Sequence, residues 1–194
     1  MLRLLGDTHG ERKYLSPKHF LPDTIQLGDC HLHGYHFAHY DSPRYFIDGN
    51  HDNFRKINPN AINPYEIKGN LWYIPRGYVR DNILFIGGGN SIDKYLRREG
   101  YSWFPEESLT YKQMERIMSH NTKVDIIISH ECPLNALQTM YSYVLDTTVS
   151  KDLNVVLEHY KPSLWVFGHH HEHFDFTLNN CRFIGLGKGE ILEI

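Results

Sequence analysis

The stretch "WVFGHHHEH", residues 165–173, runs from an apolar segment through a glycine into four histidines. Such a cluster is either a solvated polar turn or a set of imidazoles aimed at a metal, and its partners elsewhere in the chain decide which. The same order of residue types recurs. "LRLL" (2–5) leads into "GDTHG" (6–10), "TIQL" (24–27) into "GDC" (28–30), "YFID" (45–48) into "GNHDN" (49–53), and "VDIIIS" (124–129) into "HECP" (130–133). Short β-branched and aromatic runs bounded by glycine and polar residues read as buried strands. Ligands of α/β sheets bind beyond the carboxyl ends of the strands. Five strand ends of this kind can therefore meet at one site.

Helices fit between some of these runs. Leu153, Val156, Leu157 and Tyr160 form an i, i+3, i+4, i+7 stripe that Pro162 stops, and Tyr111, Met114, Ile117 and Met118 form another behind an acidic start at Glu106–Glu107. Both stripes are expected to pack into a core. Residues 70–89 and 174–187 alternate and turn like antiparallel strands, the second around Asn179–Asn180, so the sheets are expected to be mixed.

The bulk properties restrict the function classes. With 194 residues and no repeat or linker, one domain over residues 1–194 is expected. Lys and Arg total 20 against 23 Asp and Glu, a net charge of -3, which gives no general pull toward nucleic acid or membranes. Cys30, Cys132 and Cys181, an odd set, read as free thiols in a reducing compartment. With no apolar run near the ~18 residues of a membrane span, a cytoplasmic protein is expected.

Within the strand-end motifs, Asp7 and His9 are two apart, as are His169 and His171. In extended chain, i and i+2 point the same way, so each pair can present two ligands to one side, with His170 turned away. Gly6, Gly28, Gly49 and Gly168 each precede a polar residue, where a missing Cβ lets the backbone turn sharply or approach a ligand.

This ordered set resembles the motifs of the calcineurin-like metallophosphoesterases: D-x-H, G-D, G-N-H-D/E, a later single His, and G-H-x-H. The matching residues are "GDTHG", "GD" (28–29), "GNHD" (49–52), "SHECP" (129–133) and "GHHH" (168–171). The resemblance implies a four-layer α/β/β/α sandwich of two mixed sheets with two metals between them. It implies that Asp7, His9 and His171 bind the first metal, that Asp29 bridges both, and that Asn50, His130 and His169 bind the second. His51 would act on the substrate, with Asp52 orienting it. The implied chemistry is hydrolysis of phosphomonoesters or phosphodiesters by a hydroxide bridging the metals. The segments 73–79 and 86–107 further resemble small bacterial and phage-type members of the superfamily.

Two departures bear on the substrate. Serine/threonine protein phosphatases of this superfamily carry G-D-x-x-D-R-G, whereas this chain has "GDCHLHG" (28–34), without the arginine that grips phosphate. A diesterase, nucleotidase or small-molecule phosphatase is favoured over a protein phosphatase, with a phosphorylated small molecule or nucleotide as substrate. Purple acid phosphatases place a tyrosine where Leu32 stands, which argues against an iron–tyrosinate site. The alternative function is a non-catalytic protein-interaction scaffold on the same fold, which a degraded ligand set would favour; here every ligand position is filled.

A donor set of carboxylate, amide and imidazole suits Mn²⁺ first, with Fe or Zn as alternatives. Weaker candidates lie nearby. Asn90 and Ser91 follow the glycine run 87–89, and Lys94, Arg97 and Arg98 are placed to meet a phosphate or a nucleotide. His31, His33, His36 and His39 form either a rim beside the metals or a solvated loop, and Cys30 and Cys132 adjoin candidate ligands without being required as such.

Overall fold

A computed structural model describes residues 1–31, 39–145 and 147–194. His33, His36 and Leu32 lie outside the described residues. The elements are β1 (Arg3–Leu5), α1 (Arg12–Leu15), β2 (Thr24–Gln26), β3 (Arg44–Phe46), β4 (Tyr65–Lys68), β5 (Leu71–Tyr73), β6 (Tyr78–Arg80) and β7 (Ile83–Ile86). There follow α2 (Tyr111–Met118), β8 (Ile126–Ser129), α3 (Leu134–Met140), α4 (Thr148–Tyr160), β9 (Leu164–Phe167), β10 (Phe174–Leu178), β11 (Cys181–Gly185) and β12 (Ile191–Glu193).

The strands form two six-stranded sheets, ordered β12-β1-β2-β3-β5-β4 and β10-β11-β9-β8-β7-β6. Each sheet is mixed in the same way. Its four central strands are parallel, and one antiparallel strand closes each edge. This is the expected α/β sandwich.

Alternation along the strands divides the core into layers. Leu4, Ile25 and Ile47 meet Phe85, Ile128, Val166 and Ile184 between the sheets. Leu84, Ile127, Trp165 and Phe183 face the other way, onto Ile117, Val149, Leu153 and Val156 of the helices. Fully burying one such side chain contributes about 1.5–3 kcal/mol. On the outer face of the first sheet, Leu5, Phe46 and Tyr73 pack against Phe20, Phe54 and Phe104. Irregular segments and the four-residue α1 make up most of the described cover there, so this outer layer is thinner than the helical one.

The local expectations hold with three changes. Residues 70–89 do not form one antiparallel unit. β5 pairs with β3 and β4 in the first sheet, while β6 and β7 form a hairpin in the second, so the chain crosses between sheets at Ile74–Gly77. Glu106 and Glu107 do not open α2: they sit in a separate 3₁₀ turn, and the cap is Thr110, whose hydroxyl accepts from Gln113 N at 3.3 Å. Tyr111 is exposed rather than part of the buried stripe. The turns Asp81–Asn82 and Asn179–Asn180 both lie in the left-handed region that two-residue hairpin turns demand.

The crossover carries a buried charge pair that sequence periodicity cannot show. Asp48 and Arg76 are both fully buried. Arg76 donates to Asp48 Oδ2 through Nη2 at 2.6 Å and through Nε at 3.0 Å, and Tyr73 Oη donates to Asp48 Oδ1 at 2.5 Å. The rest of the guanidinium donates to Glu106 O, Ser108 O and Gln113 Oε1. The pair thus ties the end of β3 to β5 and to the 105–113 segment. Removing one partner strands the other charge in the core, which costs about 3–5 kcal/mol. Arg76→Met is expected to lower unfolding stability by an amount of that order, and chemical denaturation of the purified variant checks it.

Candidate metal centre

Five of the parallel strands end on the residues singled out above. The turns after β1, β2, β3, β8 and β9 present Asp7 and His9, Asp29, Asn50 and His51, His130, and His169 and His171 respectively. The turns bond directly to one another. His9 N–H donates to Asp29 O at 2.8 Å, His51 N–H to Asp29 Oδ1 at 2.8 Å, and His169 N–H to the Asp7 carboxylate at 3.1 Å. Two of the glycines are there for close approach: a Cβ on Gly49 would strike the Asp29 carboxylate, and one on Gly168 the Asp7 carboxylate.

The expected extended geometry of the Asp7/His9 and His169/His171 pairs is not what the turns adopt. His9, Asp29, His169 and His171 all have positive φ, between 47° and 67°. Left-handed backbone at a non-glycine residue costs of order 1–3 kcal/mol and persists where its surroundings over-determine it. The consequence is that His169 and His171 diverge, one toward each of two clusters. Asp7 and His9 stay together.

The first cluster is Asp7, His9, Asp29 and His171, whose ligand atoms all lie within 4.8 Å of one another. His171 Nε2 is 3.2 Å from Asp7 Oδ2, His9 Nε2 is 3.5 Å from Asp29 Oδ2, and the two imidazole nitrogens are 2.7 Å apart. Asp29 Oδ2 is buried without a hydrogen-bond partner among the described residues. A buried carboxylate oxygen left unpaired is expensive, and a cation removes the penalty.

The second cluster is Asp29, Asn50, His130 and His169. His130 Nδ1 lies 2.8 Å from Leu27 O, which only accepts, so the hydrogen-bond network assigns the ring proton to Nδ1. His130 Nε2 then points its lone pair at Asn50 Oδ1 (3.1 Å), His169 Nδ1 (3.2 Å) and Asp29 Oδ1 (3.5 Å). Asn50 keeps its oxygen on this side because its Nδ2 donates to Ser91 Oγ at 3.0 Å. Acceptor atoms converging on one another repel unless a cation lies between them. The residues therefore fit a divalent ion in each cluster, with Asp29 common to both.

Electrostatics agrees. Burial, and then the Asp7 and Asp52 charges, push Asp29 well above the usual carboxylate range. Burial works upward on Asp7 too, but His130, His171 and His169 hold it below its ordinary value. Burial drives both His9 and His169 down to about 4, which keeps their lone pairs free near neutral pH as metal ligation requires.

The remaining candidates are placed as follows. His51 is half-buried beside the first cluster, its ring 5.1 Å from that of His9. Its two ring nitrogens each lie 3.2 Å from an Arg97 amine nitrogen, and burial followed by the Arg97 charge pushes it down to about 3. Asp52 departs from its expected part. Its oxygens accept from Gly49 N at 2.9 Å and His31 N at 2.7 Å, so it clamps two ligand-bearing turns through their backbone instead of orienting the His51 ring. Asn90 spends its amide on Ser108 Oγ, Thr148 Oγ1 and Val149 N and braces the start of α4. Arg97 turns to the site with Nε on Asp93 at 2.8 Å, whereas Arg98 is exposed and Lys94 sits over the Trp103 ring. His170 and His173 point to Glu131 and Glu190 instead of the clusters.

Glu131 escaped the sequence reading, although it follows His130 directly. It is buried, with Oε2 3.4 Å from His169 Nε2 and Oε1 2.9 Å from His170 Nε2. Burial raises its pKa, but the two histidines outweigh this and hold it at about 2. A carboxylate on the far nitrogen of His169 keeps the proton there and leaves Nδ1 for the second cluster. Glu131, Cys132 and His170 form a further group with metal-ligand spacing. All three cysteines are buried free thiols.

No helix among the described residues is long and apolar enough to cross a membrane. A search of curated proteins finds no match. The profile described as calcineurin-like phosphoesterase matches residues 4–173, a span that holds both clusters and every strand end that builds them. The chain belongs to the calcineurin-like phosphoesterase family.

Proposed function

We propose that this chain is a phosphoesterase that hydrolyses phosphomonoester or phosphodiester bonds with the help of two divalent cations, Mn²⁺ first among them. The observation that carries the reading is the convergence of acceptor atoms on Asp29, with one buried oxygen left unpaired. In it, Asp7, His9, Asp29 and His171 hold one cation, and Asp29, Asn50, His130 and His169 hold the other. Residues 1–194 act as one domain, since a single inter-sheet core underlies both clusters. The three free thiols accord with work in the cytoplasm.

When bound, two such cations supply positive charge to phosphoryl oxygens and acidify the attacking water. The chain's own groups do the rest. Asp7 and Asp29 contribute only two negative charges, so the loaded site remains attractive to an anionic ester. Arg97 reaches the centre from the 94–98 turn and stands where a non-bridging phosphoryl oxygen can accept from it. It thereby takes on the task of the arginine missing after Asp29. A guanidinium only donates, and a neutral imidazole has one lone pair, so one His51 nitrogen accepts from Arg97 and the other carries a proton. That N–H is the group available to the leaving oxygen.

Four measurements test this. A Mn²⁺-supplemented screen of bis(p-nitrophenyl) phosphate, p-nitrophenyl phosphate, nucleotides, cyclic nucleotides and phosphopeptides is expected to show turnover; cation-loaded protein that cleaves none of them overturns the reading. His51→Ala is expected to keep its cation content and lose about 10²–10⁴-fold in kcat; a rate near that of the parent removes His51 from the chemistry. Asp29→Asn is expected to lose cations as well as activity, and full occupancy by elemental analysis would contradict its bridging position. Glu131→Gln is expected to weaken binding of the more loosely held cation by about 10–100-fold, read by Mn²⁺ titration.

A further inference from the structure

We propose that the site is built for a phosphodiester with two planar, aromatic arms, one on each side of Arg97. This rests on the phosphoesterase reading above and names its substrate class.

Two cavities open at the centre. One, of about 390 Å³, is walled by Tyr101, Ser102 and Phe104; the other, of about 570 Å³, by Leu137, Tyr141, Tyr143 and Val144. Asn50, His51 and Arg97 line both. The two spaces thus meet at the candidate ligand Asn50 and at His51 and Arg97, the groups proposed above to handle the leaving group and a phosphoryl oxygen. Each volume lies within the ~300–1,000 Å³ of small-molecule sites. A monoester has one organic substituent and leaves one cavity to water. A diester centred at Arg97 sends one arm into each.

The walls define the arms. Tyr101 and Tyr143 are 70% and 79% exposed, so neither ring is held by the core, yet each lies against one cavity. Aromatic rings in such positions stack on planar groups, and one stacked base corresponds to about five- to 150-fold in binding. Bases and aryl groups share this chemistry.

The test uses binding beside turnover. Diphenyl phosphate and phenyl phosphate are titrated into the Mn²⁺-loaded protein by calorimetry, with bis(p-nitrophenyl) phosphate hydrolysis followed separately. Diphenyl phosphate is expected to bind at least tenfold more tightly than phenyl phosphate. Tyr101→Ala and Tyr143→Ala, both surface changes that leave the core intact, are each expected to weaken diphenyl phosphate about fivefold or more. Phenyl phosphate, with one arm, is expected to respond to only one of the two variants. Equal or tighter binding of phenyl phosphate, or diphenyl affinity unchanged in both variants, overturns the proposal. Turnover together with that result leaves the phosphoesterase reading standing and removes the two-armed site. The diphenyl preference without any turnover does the reverse.

Discussion

A buried carboxylate with one oxygen unpaired among the described residues organises this molecule. Asp29 accepts the His51 N–H through Oδ1, turns Oδ2 toward His9, and receives the His9 N–H on its own carbonyl. It does this from a left-handed backbone conformation, after a glycine at φ 99° whose Cβ would collide with the His130 ring. Desolvation and the neighbouring Asp7 both oppose its charge. The proposed cations would resolve this arrangement by taking up the carboxylate's charge. The strained turns around it then become intelligible: they hold donor atoms where repulsion would otherwise drive them apart.

The sheets make that convergence possible. In each, four parallel strands lie side by side, so their carboxyl ends fall along one rim. Packing the sheets face to face brings the ends of β1, β2 and β3 opposite those of β8 and β9. Alternation decides which way each strand faces, with Leu4, Ile47, Phe85 and Ile128 inward and their neighbours outward. The Asp48–Arg76 pair then ties the rim of the first sheet to the segment that crosses to the second.

Much of this could be read in the residues, for a physical reason. A buried parallel strand tends to be apolar on both faces, and four of the five turns that carry candidate ligands contain glycine. "LWVFGHHH" displays both features within a few residues. The i, i+2 spacing of Asp7/His9 and His169/His171 singled out side chains that do reach the two clusters, but not in the geometry expected, because these turns contain left-handed backbone instead of extended chain. The resemblance implied that Asp52 orients the His51 ring; its acceptors are instead used by the backbone N–H groups of two turns, one of them 21 residues away. Glu131 and the Asp48–Arg76 pair were invisible for a related reason. A single charged residue has no periodicity, and its partner is chosen by the fold.

The same distinction separates the chemistry from the specificity. The candidate ligands sit on strand ends, whose positions follow from pairing and from a close-packed core. Arg97, Tyr101 and Tyr143 sit on longer connections that no sheet register controls. Among the described residues, Arg97 reaches the centre through its contacts with His51 and through the space they share with Asn50. In the proposed reading, Arg97 enters from a different turn to do the work of the arginine that is absent after Asp29. On that proposal, its direction of approach, with a cavity on either side, shapes what the site admits.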